Sequence, residues 1–385
     1  MKRQVTLTGK TRNYTLEVLL PDTPVFLYSP QALTVRNVGQ TSGASQVRLT
    51  LTGAQGSHTE TRTMYNDVAS FEMSRVMQLV TPDIDDIPAR LADNGSLYDE
   101  VTFDLDFIAG DTGESFVPIT GIDGLSCFCL HGALDQLETY GDNEPRRMWL
   151  NFPQTFNLWR TPGDEDAFVS VKGIEASVAF PQECAEVDLR TIREQLESAG
   201  ADLDKLFIPG IPVDMDLSLR NRVAEGQVSA RSRRVFTVTP DDSKPADGVY
   251  LRWLDRRGEM GYWLLTGSEI EYTASADQSF SRYYDGNPAA PRSGSYINGQ
   301  KADFREARTM TLSATGLSPE EYDYLCGLAT SPLVERLVGP EGTEEQWQRV
   351  NIAPSTHSRS IRRRTPRLYD FEVAIELPER NTVKL

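Results

Sequence analysis

A mainly β, multidomain protein built of β-sandwich modules with a few short helices is what this sequence predicts, on three observations. Apolar residues alternate with polar neighbours at Val5/Leu7, Leu16/Val18/Leu20, Val47/Leu49/Leu51 and Val101/Phe103/Leu105/Phe107, the period-two pattern of half-buried strands. Helical spacing is confined to short stretches bounded by capping residues, glycine or proline. The chain has 385 residues, more than one ordinary core organises, so roughly two or three domains are expected.

Residues 1–135 are expected to form a β-sandwich with one helix. That helix carries Phe71, Met73, Val76, Met77 and Val80 after Ser70, and Pro82 stops it. The acidic stretch 83–100, which holds Pro88 and Gly95, is expected to be a surface loop. A turn-rich boundary at 141–145 opens a second β-rich domain, 136–244. Its strands include Met148/Trp149/Leu150, Ala176/Val178/Phe180 and Met215/Leu217/Leu219, and Asp188 caps a helix bearing Leu189, Ile192 and Leu196 that ends at Gly200. Pro209, Gly210 and Pro212 break the chain before the next strand, and residues 241–248 make a linker.

The third domain, 245–385, opens with two aromatic-rich β runs, 249–254 and 261–265, around a charged turn containing Gly258, which predicts a hairpin. A loop rich in Gly, Asn, Pro and Ser follows over 285–299. Ser318, Pro319 and Glu321 then give a capping box with proline in the first turn, and Tyr322, Leu325, Leu328 and Ala329 form the apolar stripe of that helix. At the end, Tyr369/Phe371/Val373/Ile375/Leu377 alternate against Asp370, Glu372, Ala374 and Glu376, a strand with one buried face.

Composition narrows the function. The net charge of −17, from 56 acidic against 39 basic residues, disfavours nucleic-acid binding, which needs a local cationic field. Arg359, Arg362, Arg363, Arg364 and Arg367 are the exception. A solvated loop, or an arginine set facing acidic neighbours, is weighed there against a nucleic-acid contact. The N-terminus leads straight into alternating residues without an apolar signal core, and no run reaches the roughly 18 apolar residues of a membrane helix. Synthesis in the cytoplasm without membrane insertion is therefore expected. Cys127, Cys129, Cys184 and Cys326 are too few for a disulfide scaffold in a chain this long, and reduced buried thiols are expected.

No residue pattern commits the chain to catalysis, a metal or a cofactor. Cys127, Cys129 and His131 are the one metal-like cluster, but consecutive same-face strand positions lie about 6–7 Å apart and converge poorly on one ion. His58, His131 and His357 are few for general-base work, and no Gly-x-Ser-x-Gly elbow is present. Asp104 and Asp106 lie opposite Phe103, Leu105 and Phe107, where solvent exposure accounts for them. Asp164, Glu165 and Asp166 lack the ligand ladder of an EF-hand. No phosphate-cradling glycine loop occurs. Trp149 and Trp159, with Phe152 and Phe156, form a candidate glycan platform, weighed against core packing or a subunit contact.

The hairpin residues 249–266, the helix opened by Ser318, the run Trp347/Gln348/Arg349/Val350/Asn351/Ile352 and the final alternating strand together resemble the C-terminal portion of tail or baseplate structural proteins of Bacteroidales-type phages and prophages. The resemblance implies no catalytic positions. It implies a distal-tail-like ring subunit in the virion, a homo-oligomer that contacts tail tube, hub or fibre proteins. Arg362, Arg363, Arg364 and Arg367 are then the candidate interface, set against acidic loops of a neighbour. The alternatives carried beside this are a carbohydrate- or receptor-binding module of the same particle, using Trp149 and Trp159, and a glycan-cleaving enzyme.

Overall fold

The computed structural model describes residues 2–8, 13–20, 25–38, 45–93, 97–108, 117–119, 125–133, 146–157, 166–178, 186–224, 227–281, 299–338, 346–354 and 368–377. The chain is mostly β, with a few short helices, and divides into two compact units. Among the described residues no helix is long and apolar enough to cross a membrane.

The first unit comprises 1–242 with Leu254–Gly261 and Ser331–Leu333, and contains two apolar cores. One lies between a four-stranded antiparallel sheet (in order, Lys2–Thr8, Asn13–Leu19, Ala32–Asn37, Val68–Glu72) and a second sheet (Val25–Phe26, Leu125–Leu130, Tyr98–Ile108, Gln46–Gly53, Gly56–Thr63). Leu16, Val18, Val35 and Phe71 from the first face share that core with Val47, Leu49, Leu105 and Phe107 from the other, so the residues that alternate in the sequence do close a sandwich. Asp106, on the outward register, is held by Arg48 Nη2 at 2.6 Å.

Two local readings differ from the structure. Phe71 belongs to a strand, and the helix it was expected to join is only Met73–Met77. A five-residue helix and a strand end can both bury apolar residues at such spacing, so periodicity alone did not separate them. The stretch after Pro82 is no simple loop: a 3₁₀ turn, Ile84–Asp86, runs into the helix Ile87–Asp93. Pro88 sits in its first turn, where a missing N–H costs nothing, and Ile87 is fully buried.

The other core is built on a five-stranded sheet, Arg146–Trp149, Gln227–Asp241, Val213–Ala224, Asp166–Val171 and Ile174–Val178. The helix Leu189–Ser198 buries Leu189, Ile192 and Leu196 against it, and Asp188 Oδ1 accepts from Arg190 N at 2.6 Å as the cap. Gly200, at φ +87°, ends that helix in the left-handed region.

The second unit comprises Ser243–Trp253, Tyr262–Thr330 and Val334–Leu385. Its start falls inside the linker expected at 241–248. It is organised by a seven-stranded sheet in the order Gln346–Arg349, Val334–Val338, Gly248–Leu254, Met260–Ser281, Gly299–Leu317, Tyr369–Leu377, Asn351–Ile352. Phe371, Val373, Ile375 and Leu377 are buried, as the alternation requires. The helix Pro319–Leu328 carries the reciprocal capping box: Glu321 N donates to Ser318 Oγ at 3.1 Å, and Ser318 N donates to Glu321 Oε2 at 2.9 Å. Ser318→Ala is expected to cost about 1 kcal/mol, read as a shift in urea midpoint; no shift would show that the cap contributes nothing.

Candidate assembly surfaces

The turn of the aromatic hairpin is held by a dense set of polar contacts. Residues Leu254–Gly261 belong to the first unit, although the hairpin's strands lie in the second. Asp255 closes the turn by accepting from Arg257 N at 2.8 Å and Glu259 N at 3.0 Å, while Gly258 N donates to Asp255 O at 3.0 Å. Gly258 has φ +74°, and a Cβ there would meet Leu130 Cβ at 3.0 Å, so both backbone and space demand glycine.

Glu259, 0 % exposed, takes Arg146 Nη2 at 2.7 Å on one carboxylate oxygen and Arg234 Nη1 on the other. Both guanidiniums also lie over the Phe236 ring, at 5.1 and 4.6 Å from its centroid. Burial pushes the Glu259 carboxyl upward, but the charges and hydrogen bonds of Arg234 and Arg146 outweigh it and hold the group below the usual carboxylate range. The arrangement is a fully engaged ion cluster with both carboxylate oxygens occupied, so its chemistry is structural.

The metal-like trio resolves in a similar way. Cys127 and Cys129 are buried in the first core. Burial, helped by Glu100, pushes the Cys127 thiol up to about 12, and burial with Asp99 pushes Cys129 up as well. Both are therefore protonated at neutral pH and poor ligands or nucleophiles. His131 Nε2 lies 3.6 Å from Asp99 Oδ2, and Arg90 already holds that carboxylate at 3.0 Å. Among the described residues no group of three metal-ligating side chains converges. His58 lies on the strand Gly56–Thr63.

Trp149 is 2 % exposed, so its ring packs in the first unit and has no open face for a sugar; Phe156 is fully buried beside Phe236. Trp159, Cys184 and the arginine set Arg359, Arg362, Arg363, Arg364 and Arg367 lie outside the described residues.

What the sequence did not disclose is the reach of two strands in the second unit. Met260–Ser281 has 22 residues and Gly299–Leu317 has 19. The neighbouring strand Tyr369–Leu377 starts pairing with the latter only at Arg308, yet Thr273↔Ala307 through Ser281↔Gly299 continue to pair with each other. Among the described residues the sheet therefore runs out into a two-stranded ribbon about 30 Å long. At its root Ile270 and Tyr272 are 43 % and 60 % exposed, on the register that farther in carries buried Leu312, Val373 and Ile375. A cleft of about 390 Å³ adjoins them, lined by Asp247, Val249, Ser268, Glu269, Ile270 and Met310.

The opposite face of the same strands is acidic. Register places Glu271, Thr309 and Glu376 in one row, Glu269, Thr311 and Ala374 in the next, and Thr266, Ser313 and Glu372 in a third. Glu269, Glu271, Glu372 and Glu376 are exposed. No family model and no curated protein matches this sequence.

Proposed function

We propose that this chain is a non-catalytic structural protein that assembles with copies of itself, as a tail-tip or baseplate ring subunit of a phage or prophage. The single observation that carries self-assembly is the ribbon. An isolated pair of strands is marginal in water, and its unpaired edges are a template for another chain. A monomeric protein normally blunts such edges; here, among the described residues, no further strand pairs with them where they extend beyond the sheet beside exposed Ile270 and Tyr272. Covering them by head-to-tail contact closes a ring whenever the rotation divides a full turn.

The location in a tail rests on the resemblance of residues 249–266 and of the C-terminal helix and strands to tail and baseplate proteins. Tail tube, hub or fibre proteins are the further partners, and the virion is the destination after synthesis in a bacterial host. A non-catalytic role is supported by how the titratable groups are used: Asp106, Asp99 and Glu259 are each held by arginine, and the buried thiols stay protonated.

The test is the mass of the full-length protein in solution with Arg362, Arg363, Arg364 and Arg367 all changed to alanine. Loss of the assembled species, together with loosening of the wild-type assembly at raised salt, is expected, because exposed ion pairs are screened over about 8–10 Å near physiological strength. Unchanged assembly in that variant removes those arginines from the interface.

A further inference from the structure

We infer that the acidic face formed by Glu269, Glu271, Glu372 and Glu376 is the docking surface for the arginine-rich segment 359–367 of a second copy of this chain. The inference rests on the self-assembly reading and names the surface that the arginines meet.

Charge complementarity carries it. The four carboxylates stand on the two strands that flank Gly299–Leu317, on one sheet face: Glu271 and Glu376 lie either side of Thr309, and Glu269 and Glu372 lie one row apart along the strands. Neighbouring strands are about 4.8 Å apart and same-face residues about 7 Å apart, so all four fall in a patch about 10 Å wide and about 14 Å long. All four are exposed, and none makes an ion pair with another described residue. The remaining side chains of the patch are Thr266, Thr309, Thr311, Ser313 and Ala374, short enough to let a partner approach the carboxylates, and no cation interrupts it among the described residues.

Four like charges this close repel one another unless something cationic sits over them. The sequence holds one segment of matching density: Arg359, Arg362, Arg363, Arg364 and Arg367, with no Asp or Glu anywhere in 353–368. Arginine is suited to the role because its planar fork pairs with a carboxylate through two hydrogen bonds. Hydroxyls of the intervening threonines and serine give further acceptors to the same donors.

The test uses two charge-reversed full-length variants. One carries Glu269→Lys, Glu271→Lys, Glu372→Lys and Glu376→Lys; the other carries Arg359→Glu, Arg362→Glu, Arg363→Glu, Arg364→Glu and Arg367→Glu. Circular dichroism and melting establish that each variant is folded. By sedimentation, each variant alone should associate at least tenfold more weakly than wild type, and an equimolar mixture should recover species larger than one chain, since reversed and native surfaces then face each other.

If the lysine variant assembles like wild type, this face is not the acceptor, while self-assembly itself stands. If both variants lose assembly and mixing does not restore it, the two surfaces act separately or the segment pairs within its own chain, and the inference fails. If wild type runs as a single chain at every concentration, the assembly reading fails with it.

Discussion

Replacing Glu259 with alanine is expected to remove about 3–5 kcal/mol of stability, the cost of leaving a buried charge cluster without its counter-ion. Arg146 and Arg234 would remain buried, at 4 % and 6 % exposure, with no carboxylate between them. Against a typical total of about 5–15 kcal/mol for a folded domain, that loss is large. It would appear in urea unfolding, followed by far-ultraviolet circular dichroism, as a lower midpoint. A triple change, Arg146→Met, Arg234→Met and Glu259→Leu, should cost far less, because no charge is then stranded. A loss below about 1 kcal/mol for the alanine variant would mean that water reaches the cluster.

The same cluster sets a pH dependence. The Glu259 carboxyl titrates lower in the folded protein than its ordinary value near 4.5, so its contribution is fully present above the unfolded pKa and is lost as pH falls through the folded one. Stability should therefore drop on acidification below about pH 4.5, and Glu259→Gln should flatten that acid limb while lowering stability at neutral pH.

Trp253→Ala is the second change with a large expected effect, about 3–5 kcal/mol, because a fully buried indole leaves a cavity its surroundings fill only in part. Trp253 is 0 % exposed and its ring centroid lies 5.1 Å from that of Tyr324. Trp253→Phe should cost much less. Nε1 of Trp253 has no hydrogen-bond partner among the described residues, so phenylalanine gives up packing area but also removes an unsatisfied buried donor, a relief of about 1–3 kcal/mol. Equal losses for the two variants, measured by thermal or urea unfolding, would show that filling this site with a ring contributes nothing.

Locally encoded features were legible from the residues alone. The box of Ser318 and Glu321, the cap at Asp188 and the alternation of 369–377 each depend on residues within one turn or one strand of each other, and each appears as read. Features that depend on distant partners were not. Asp255, Arg257 and Glu259 look like an ordinary charged turn, yet Glu259 is paired with residues 113 and 25 positions away. The long ribbon was missed because 273–281 is dominated by small and polar residues; it is a strand through its pairing with 299–307, which no single segment announces. Glu372 and Glu376 were visible as the polar side of the last strand. Only register showed that Glu269 and Glu271 share their face.

The central claim is that the second unit's ribbon and sheet faces are made to be covered by other copies of the chain. Sedimentation equilibrium of the full-length protein over a wide concentration range tests it most directly. The account predicts a concentration-dependent species at a multiple of the 43.0 kDa chain mass, dissociated by raised salt. A single species of one-chain mass at every concentration and salt would contradict it.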